Sequence, residues 1–275
     1  PSTSIGKIIP FLEEKGITVG DNYGVANNPE FLREGHCWTD FMNADRIVLG
    51  VSDDKSENIL RNIYDGQTVP VYCVSLNTGE FIKYLSNTLL ATLISYSNEM
   101  SVIADAIGDI DIATAFRILH LDKRWGGCSM SSYAYPGCGY GGYCLPKDTN
   151  ALYAVAKTAG FDAKILKNVI ITNDRMPEFI TNRIMKVIGD KKNIRIAILG
   201  LSFKPESDDV RDTPSAKIIA QLLKEGYHNI YAYDPVANEE FSSHYDLDII
   251  YYSEYEKIVT ASDVFVIATA WDEFR

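Results

Sequence analysis

The first 75 residues alternate between helical and extended patterns of apolar positions. Ile5–Lys15 repeats its apolar residues at the helical period and stops at Gly16, which favours a short helix. Arg46–Val51 and Val69–Val74 are short runs rich in β-branched residues, as is typical of buried strands. A polar stretch between them, 53–64, has a helical pattern. This order of elements predicts the end of an α/β sheet domain.

A much longer helical pattern extends from Thr78 to Ile107. Thr78 is placed to cap this helix, and Gly108 is placed to end it. About thirty residues at 1.5 Å each span roughly 45 Å, so the helix can connect two domains and offer a face to a second subunit. Further helices are predicted at 112–119, 146–159 and 163–188.

A second α/β unit begins at Ile194. The run 194–199 has the composition of a buried strand, and Pro214 stands where a helix to Glu225 would begin. Two later strands are predicted, at 230–233 and 264–268. Strands that alternate with helices indicate a parallel, doubly wound sheet. The predicted fold is therefore α/β, with a helical segment between two sheet units.

Composition narrows the classes of partner. The 275 residues carry a net charge of -11, which disfavours nonspecific binding to nucleic acid or an anionic membrane because both would repel the chain. The sequence has neither an apolar run of about 20 residues nor a basic start followed by an apolar stretch. We therefore expect a cytoplasmic protein. The five cysteines form no CxxC pair, which predicts reduced thiols and no metal site.

The segment 136–148, PGCGYGGYCLPKD, is the richest in candidate chemistry. Its glycines spell GxGxxG, but no strand precedes them, so we interpret them as places where backbone approaches a ligand or a thiol. Cys144 stands just before Pro146, which favours a helix start, where the helix dipole and Lys147 promote the thiolate. Asp148, one turn on, can hold a lysine or a water. The alternative is a buried structural cysteine beside a capped helix.

Two other segments carry polar side chains at helical spacing. Lys83 and Asn87 share a helix face, where an ammonium and an amide can bind an oxyanion or a water. Glu30 and Glu34 are also four residues apart, in NPEFLREG, and two carboxylates can serve acid–base chemistry. The alternatives are a solvated helix face for the first pair and a surface turn for the second.

The loop after the strand at 194–199 is the fourth candidate. Loops at the carboxyl edge of a parallel sheet are where such folds bind nucleotides. Lys204 and Arg211 lie in this loop and can pair with a diphosphate. Asp234, at the end of the next strand, is placed like the ribose-binding acid of an NAD site. The glycine fingerprint is missing, which favours a different nucleotide.

These four motifs together resemble the UDP-glucose/GDP-mannose dehydrogenase family. The matching segments are NPEFLREG (28–35), KYLSNTLLATLISYSNE (83–99), GYGGYCLPKDT (139–149) and LGLSFKPESDDVRDTP (199–214). They occur in the family's order and span most of the chain. The resemblance implies an NAD-dependent, four-electron oxidation of a sugar C6 hydroxyl to a carboxylate.

The resemblance also implies roles for the candidate residues. Cys144 is the nucleophile that forms a thiohemiacetal and then a thioester. Lys83 stabilises oxyanions, with Asn87 as its neighbour in the oxyanion and water site. Asp148 orders Lys83 and the hydrolytic water. The remaining roles are acid–base chemistry on the thioester for Glu34, which also lies near the cofactor, and a substrate-side position for Glu30.

Binding residues are implied in the same way. Thr3 and Lys147 correspond to positions near the cofactor. Arg124, in an LDxR-like stretch, corresponds to an arginine that reaches the sugar from the other subunit of a dimer. The remaining substrate-side positions are Tyr140, Gly141, Lys204 and Arg211.

The implied domains are the C-terminal part of an NAD-binding domain (1–76), a central helical and dimerisation domain (77–190) and a UDP-sugar-binding Rossmann-like domain (191–275). No strand followed by GxGxxG opens the chain, and the last strands of the third domain are missing. We therefore expect this polypeptide alone to be inactive and to bind NAD weakly.

Three functions remain open at this stage. The first is oxidation of UDP-glucose to UDP-glucuronate for surface polysaccharide by a homodimer, which YCLPKD and LDKR favour. The second is the same reaction on GDP-mannose or a UDP-N-acetylhexosamine. The third is a nucleotide-sugar-binding protein without turnover.

Overall fold

Four consecutive buried residues, Ile47 to Gly50, explain why the first part of the chain forms around a sheet. Such a run is typical of a strand covered on both faces. The chain divides into two compact units, Pro1–Asn87 and Thr88–Arg275. The computed structural model describes residues 1–21, 23–125 and 129–274, so Cys128 lies outside the described residues.

The first unit places a three-stranded sheet among short helices. Its elements are a π-helical turn (Ser4–Ile8), α1 (Ile9–Glu13), β1 (Ala26–Asn27), α2 (Cys37–Met42), β2 (Ile47–Val51), α3 (Asp54–Ile63), β3 (Val71–Ser75) and the start of α4 (Leu76–Ile107). The strand order is β1-β2-β3, with β1 antiparallel and β3 parallel to β2. Both predicted strands are present, and the parallel pair is the expected end of an α/β sheet.

The long helix α4 begins earlier than its sequence pattern predicts. Strand β3 leads directly into it at Leu76, and the Ser75 hydroxyl accepts a hydrogen bond from the Thr78 amide at 3.3 Å. The expectation that Thr78 caps the helix is therefore wrong, because Ser75 occupies the capping position. The predicted end is confirmed, since Gly108 follows Ile107 with a φ of +81°.

Two glycines let α4 approach the sheet closely. The Asn27 side chain lies between Gly50 of β2 and Gly79 of α4, and its amide donates to the Leu76 carbonyl at 3.0 Å. A Cβ atom on Gly79 would lie 2.4 Å from Asn27 Oδ1 and 2.9 Å from the Gly50 Cα. The close approach therefore depends on the absence of a side chain at Gly79.

We expect Gly79→Ala to destabilise the first unit. The added methyl meets backbone at 2.9 Å, so we expect a cost in the upper part of the usual range, about 2–3 kcal/mol, against roughly 1 kcal/mol gained in helix propensity. Gly6→Ala is the matched control, because Gly6 is also helical and a Cβ there meets nothing within 4 Å. Urea unfolding followed by circular dichroism measures both variants. Equal midpoints for the two would show that the packing at Gly79 is not tight.

The second unit combines a helical segment with a second sheet. After α4 come α5 (Ile112–Leu119), 3-10 turns at Lys123–Trp125 and Ser129–Tyr133, α6 (Cys144–Thr158), α7 (Lys164–Ile188), β4 (Ile196–Leu199), α8 (Pro214–Lys224), β5 (Ile230–Tyr233), α9 (Asn238–His244), β6 (Ile250–Tyr251), α10 (Tyr255–Ala261), β7 (Val264–Ile267) and a 3-10 turn at Asp272–Phe274. The sequence pattern did not assign α9, β6 and α10.

The second sheet is parallel throughout, in the order β6-β5-β4-β7. Alternate residues of β4 enter two different cores. Ile196 and Ile198 pack in the core that contains residues of α7 and α8, whereas Ala197 and Leu199 pack with Ile258 of α10. Helices therefore cover both faces, which confirms the predicted doubly wound α/β fold. No helix in the described part of the chain is long and apolar enough to cross a membrane.

Candidate active site

Cys144 is the first residue of α6, and its thiol is exposed. The helix predicted from Pro146 thus begins two residues earlier, so the thiol lies at the positive end of a 15-residue helix. The first turn contains no acidic residue that would oppose a thiolate. This is the environment expected of a nucleophilic cysteine rather than of a buried structural one.

Two buried asparagines hold the glycine-rich loop that leads to Cys144. Asn98 Oδ1, on α4, accepts from the Gly137 amide at 2.7 Å. Asn173, on α7, makes a pair of hydrogen bonds with Tyr140, accepting from its amide at 2.7 Å and donating to its carbonyl at 3.0 Å. Neither asparagine is among the site residues predicted from the sequence. For Asn173 the signal is an amide between two buried apolar residues of its helix, Val169 and Met176. Asn98 has no such signal, because its buried neighbours on α4 include Ser95 and Ser101.

Gly141 and Gly142, the last two glycines before Cys144, bring this loop against the loop that follows β4. A Cβ on Gly141 would lie 2.5 Å from the Asp212 carbonyl oxygen, and one on Gly142 would lie 2.9 Å from the Phe203 ring. The Gly142 amide also donates to the Arg211 carbonyl at 2.8 Å. The structure therefore brings Gly141 and the backbone of Arg211 together beside the start of α6.

Asp148 is buried on α6, four residues after Cys144. Its side chain is only 2% exposed and forms an ion pair with Lys147. Tyr140 is buried as well, and this burial raises the pKa of its hydroxyl to about 12. Tyr140 therefore stays a neutral hydrogen-bonding group across the physiological range.

The loop after β4, residues 200–213, carries both predicted phosphate-binding cations. Arg211 makes two parallel hydrogen bonds to Asp209, each 2.8 Å long. The ammonium of Lys204 lies 5.7 Å from the Phe203 ring centroid. Both side chains belong to the loop whose backbone and Phe203 ring contact Gly141 and Gly142, so the predicted phosphate-binding residues and the contacts to the glycine-rich loop lie in one segment.

Asp234 does not fit the role of a ribose-binding acid. Its carboxylate is buried, and one oxygen accepts from the Leu201 amide at 2.8 Å and from the Trp271 indole at 3.1 Å. The other oxygen accepts from the amides of Val236 and Ala237, each at 3.0 Å. Asp234 is therefore a structural carboxylate and not a counterpart of the ribose-binding acid of an NAD site, because these protein donors already occupy both oxygens.

In the first unit, Lys83 and Glu30 contact each other. The Lys83 ammonium donates to the Glu30 carboxylate and, at 2.7 Å, to the Glu30 carbonyl. Asn87 lies one helical turn further along α4. Because an ammonium has three N–H donors, these two contacts leave one donor for a further acceptor.

The segment that carries Glu30 and Glu34 is fixed by Arg33. Its guanidinium forms a two-bond pair with Asp40 of α2, at 2.9 and 2.7 Å, and its amide donates to the same carboxylate. These bonds lower the pKa of Asp40 to about 2. Because the folded protein binds the ionised form of Asp40, this carboxylate contributes its full stabilisation above its ordinary pKa of 3.8. That contribution is lost progressively as the pH falls from there through about 2. Glu34 lies in the turn completed by Gly35, whose φ is +80°.

Thr3 and Arg124 each contact an acidic side chain of their own unit. Glu80 accepts from the Thr3 amide at 2.9 Å and from the Ser4 amide at 2.8 Å, which anchors the π-helical turn. Arg124 is highly exposed and pairs with Asp122 two residues before it. Within the described ranges, no group of three or more His, Cys, Asp or Glu side chains could hold a metal ion.

We expect Cys144 to be alkylated faster than Cys37, Cys73 and Cys138. Cys37 is the matched control, since it is also exposed and also begins a helix, but α2 has only six residues and an acid in its first turn. Burial raises the pKa of the Cys138 thiol to about 11 and also raises that of Cys73. Limiting iodoacetamide at neutral pH, followed by peptide mapping, gives the order. Equal rates at Cys37 and Cys144 would contradict an activated thiol.

Comparison with known proteins supports the family resemblance of the sequence motifs along most of the chain. Domain models of the UDP-glucose/GDP-mannose dehydrogenase family match in three places: the NAD binding domain at residues 2–68, the central domain at 77–175 and the UDP binding domain at 197–275. Together they match most of the chain.

Relatives and solved structures agree with these matches. UDP-glucose 6-dehydrogenase of Rickettsia bellii is 39% identical over all of this chain and 62% of its own length, and TuaD of Bacillus subtilis is 35% identical over 98% and 57%. The structure of a UDP-glucose dehydrogenase from Pyrobaculum islandicum superposes with a TM-score of 0.85 at 33% identity, covering 93% of this chain and 58% of its own. The chain thus spans about 60% of the length of these relatives.

Proposed function

Because this chain belongs to the UDP-glucose/GDP-mannose dehydrogenase family, we propose that it contributes to the NAD-dependent oxidation of UDP-glucose to UDP-glucuronate, with Cys144 as the nucleophile. One observation carries this proposal. The exposed thiol begins α6, on a loop whose glycines rest against the nucleotide-side loop 200–213. Covalent attachment to sulfur can keep the C6 aldehyde in place between two oxidations.

The roles of the second unit's residues follow from their places. The thiolate of Cys144 attacks the C6 aldehyde to give a thiohemiacetal, and oxidation of this adduct gives a thioester that water hydrolyses. Asp148 acts on that water from its enclosed position beside Lys147. Lys204 and Arg211 bind the diphosphate, since both lie in the loop that supports the thiol turn.

Lys83 and Asn87 of the first unit are assigned to the oxyanion and water site. Glu30 holds the Lys83 ammonium through two contacts, so the charge is oriented before substrate arrives. Glu34 is the acid–base residue, with Thr3 near the cofactor. Arg124 reaches the sugar of a second subunit, for which its exposure suits it.

NAD, as the acceptor of both hydrides, is part of the proposal, but one turn of the first unit does not fit its pyrophosphate. The turn from β2 into α3 is capped by Asp53, which accepts from the Ser56 amide at 2.8 Å. Asp54 and Glu57 follow in the first turn of that helix. Three carboxylates at this helix start repel an anion, so we assign no pyrophosphate contact to it.

The decisive test is a turnover assay on the protein in its complete form. With UDP-glucose, we expect two NADH for each UDP-glucuronate. A preference for GDP-mannose or a UDP-N-acetylhexosamine would move the enzyme to another branch of the family. Tight UDP-sugar binding without NADH formation would indicate a binding protein instead.

The domain division at 1–76, 77–190 and 191–275 belongs to the same proposal and is supported by the ranges of the three family models.

We also propose a homodimer that forms through α4. Leu89, Tyr96 and Ile103 are exposed and seven residues apart, so they lie on one face of the helix. Light scattering at micromolar concentration should give a dimer, and Tyr96→Arg should shift it toward monomer because the charge cannot be buried. Val187→Arg is the control, since Val187 is an exposed apolar residue of another helix. A wild-type monomer would contradict the proposal.

A further inference from the structure

Tyr143, the residue before the thiol, contacts two cations from different segments. The Arg211 guanidinium carbon lies 4.7 Å from the centroid of its ring, and the Lys147 ammonium lies 5.3 Å from the same centroid. Both distances are within the range in which an aromatic face attracts a cation. One ring thus connects the first turn of α6 with the loop 200–213.

Each of these cations is also held by a buried carboxylate. Arg211 pairs with Asp209, and Lys147 pairs with Asp148. The two carboxylates are 6% and 2% exposed, whereas the Arg211 and Lys147 side chains are 50% and 44% exposed. In both pairs the positive group therefore lies closer to solvent than the carboxylate that holds it.

The Tyr143 ring is 54% exposed, and its side chain makes no capping hydrogen bond to α6. The fold of the helix start therefore does not account for an aromatic residue at this position. The two cation contacts do account for it, because an aliphatic side chain of similar size has no negative face to offer.

We infer that Tyr143 is a positioning residue that holds Arg211 and Lys147 beside the start of α6 and makes the approach to Cys144 attractive to anions. The ligand class that this arrangement favours is a phosphate-bearing molecule, such as a nucleoside diphosphate. The inference rests on the proposed role of Cys144, but it concerns the charge around the thiol rather than the reactivity of the sulfur.

Two alkylating reagents of different charge test this on the 275-residue chain. Iodoacetate is anionic and iodoacetamide is neutral, so the ratio of their rates at Cys144 reports the local positive charge. We expect a higher ratio at Cys144 than at Cys37. Tyr143→Ala should lower the Cys144 ratio by about two- to fivefold, the range set by one exposed cation–π contact. High salt should reduce the difference between the proteins.

Two further variants separate charge placement from folding. Tyr143→Phe retains the ring and should retain the wild-type ratio. Tyr143→Leu retains most of the volume without the ring's negative face, so it should behave like Tyr143→Ala even where the alanine variant is unstable. A loosened helix would slow both reagents together and leave the ratio unchanged.

These measurements distinguish failure of the Tyr143 role from failure of the proposed role of Cys144. Equal iodoacetamide rates at Cys144 and Cys37 would count against the activated thiol. A reactive Cys144 whose rate ratio is the same in wild type, Tyr143→Leu and Tyr143→Ala would overturn the role of Tyr143 alone.

Discussion

Replacing Cys144 by alanine is expected to lower the rate of UDP-glucuronate formation by about 10³-fold or more, because the aldehyde then has no covalent attachment between the two oxidations. UDP-glucose binding should change little, since the thiol adds little to the ground-state contacts. Stopped assays for UDP-glucuronate and calorimetry for UDP-glucose measure the two quantities separately.

Cys37→Ala is the matched control for this variant. It removes another exposed thiol from the first position of a helix, in the first unit, and should leave turnover near wild type. Comparable activity of Cys144→Ala and wild type would remove Cys144 from the mechanism. Loss of UDP-glucose binding together with turnover would indicate a structural role for the loop instead.

The second large effect is expected at Lys83. If its ammonium stabilises an oxyanion that exists only during the reaction, Lys83→Ala lowers kcat by about 10²-fold with little change in KM. Lys257→Ala is the control, because Lys257 also pairs with a glutamate, Glu254, but lies on α10. A variant with normal kcat and a raised KM would make Lys83 a ground-state contact.

Glu30 gives this second prediction a finer test. In the structure, both the carboxylate and the backbone carbonyl of Glu30 accept hydrogen bonds from the Lys83 ammonium. Glu30→Gln keeps a hydrogen-bond acceptor but removes the negative charge, so we expect a smaller loss of kcat than in Lys83→Ala. An equal loss would show that Glu30 takes part directly rather than by orienting the lysine.

Local signals in the sequence were sufficient to place the start of α6 and the end of α4. Pro146 favours a helix start and Gly108 a helix end through their own backbone preferences, and the structure has both within two residues. The parallel sheet could be predicted as well, because β4 and β5 are continuous apolar runs. Ser75 was missed as a cap because β3 passes into α4 without a loop.

The supports of the site could not be predicted from local patterns. Asn98 and Asn173 bind backbone 39 and 33 residues away, and nothing adjacent to them in the sequence indicates those partners. Asp234 shows the opposite case. Its position after β5 suggests a ligand, whereas the tertiary fold supplies protein donors to both of its oxygens. Only the three-dimensional arrangement distinguishes a binding carboxylate from a structural one.

The close approach of Gly141 to the Asp212 carbonyl limits how this protein can be recombined with its relatives. A Cβ at Gly141 would also lie 3.2 Å from Pro214, the first residue of α8, so the glycine-rich loop before Cys144 packs against that helix start. A chimera joined between α7 and β4 would take the two sides of this contact from different parents. Functional exchange of a nucleotide-sugar module therefore requires that residues 139–143 and 203–214 be transferred together.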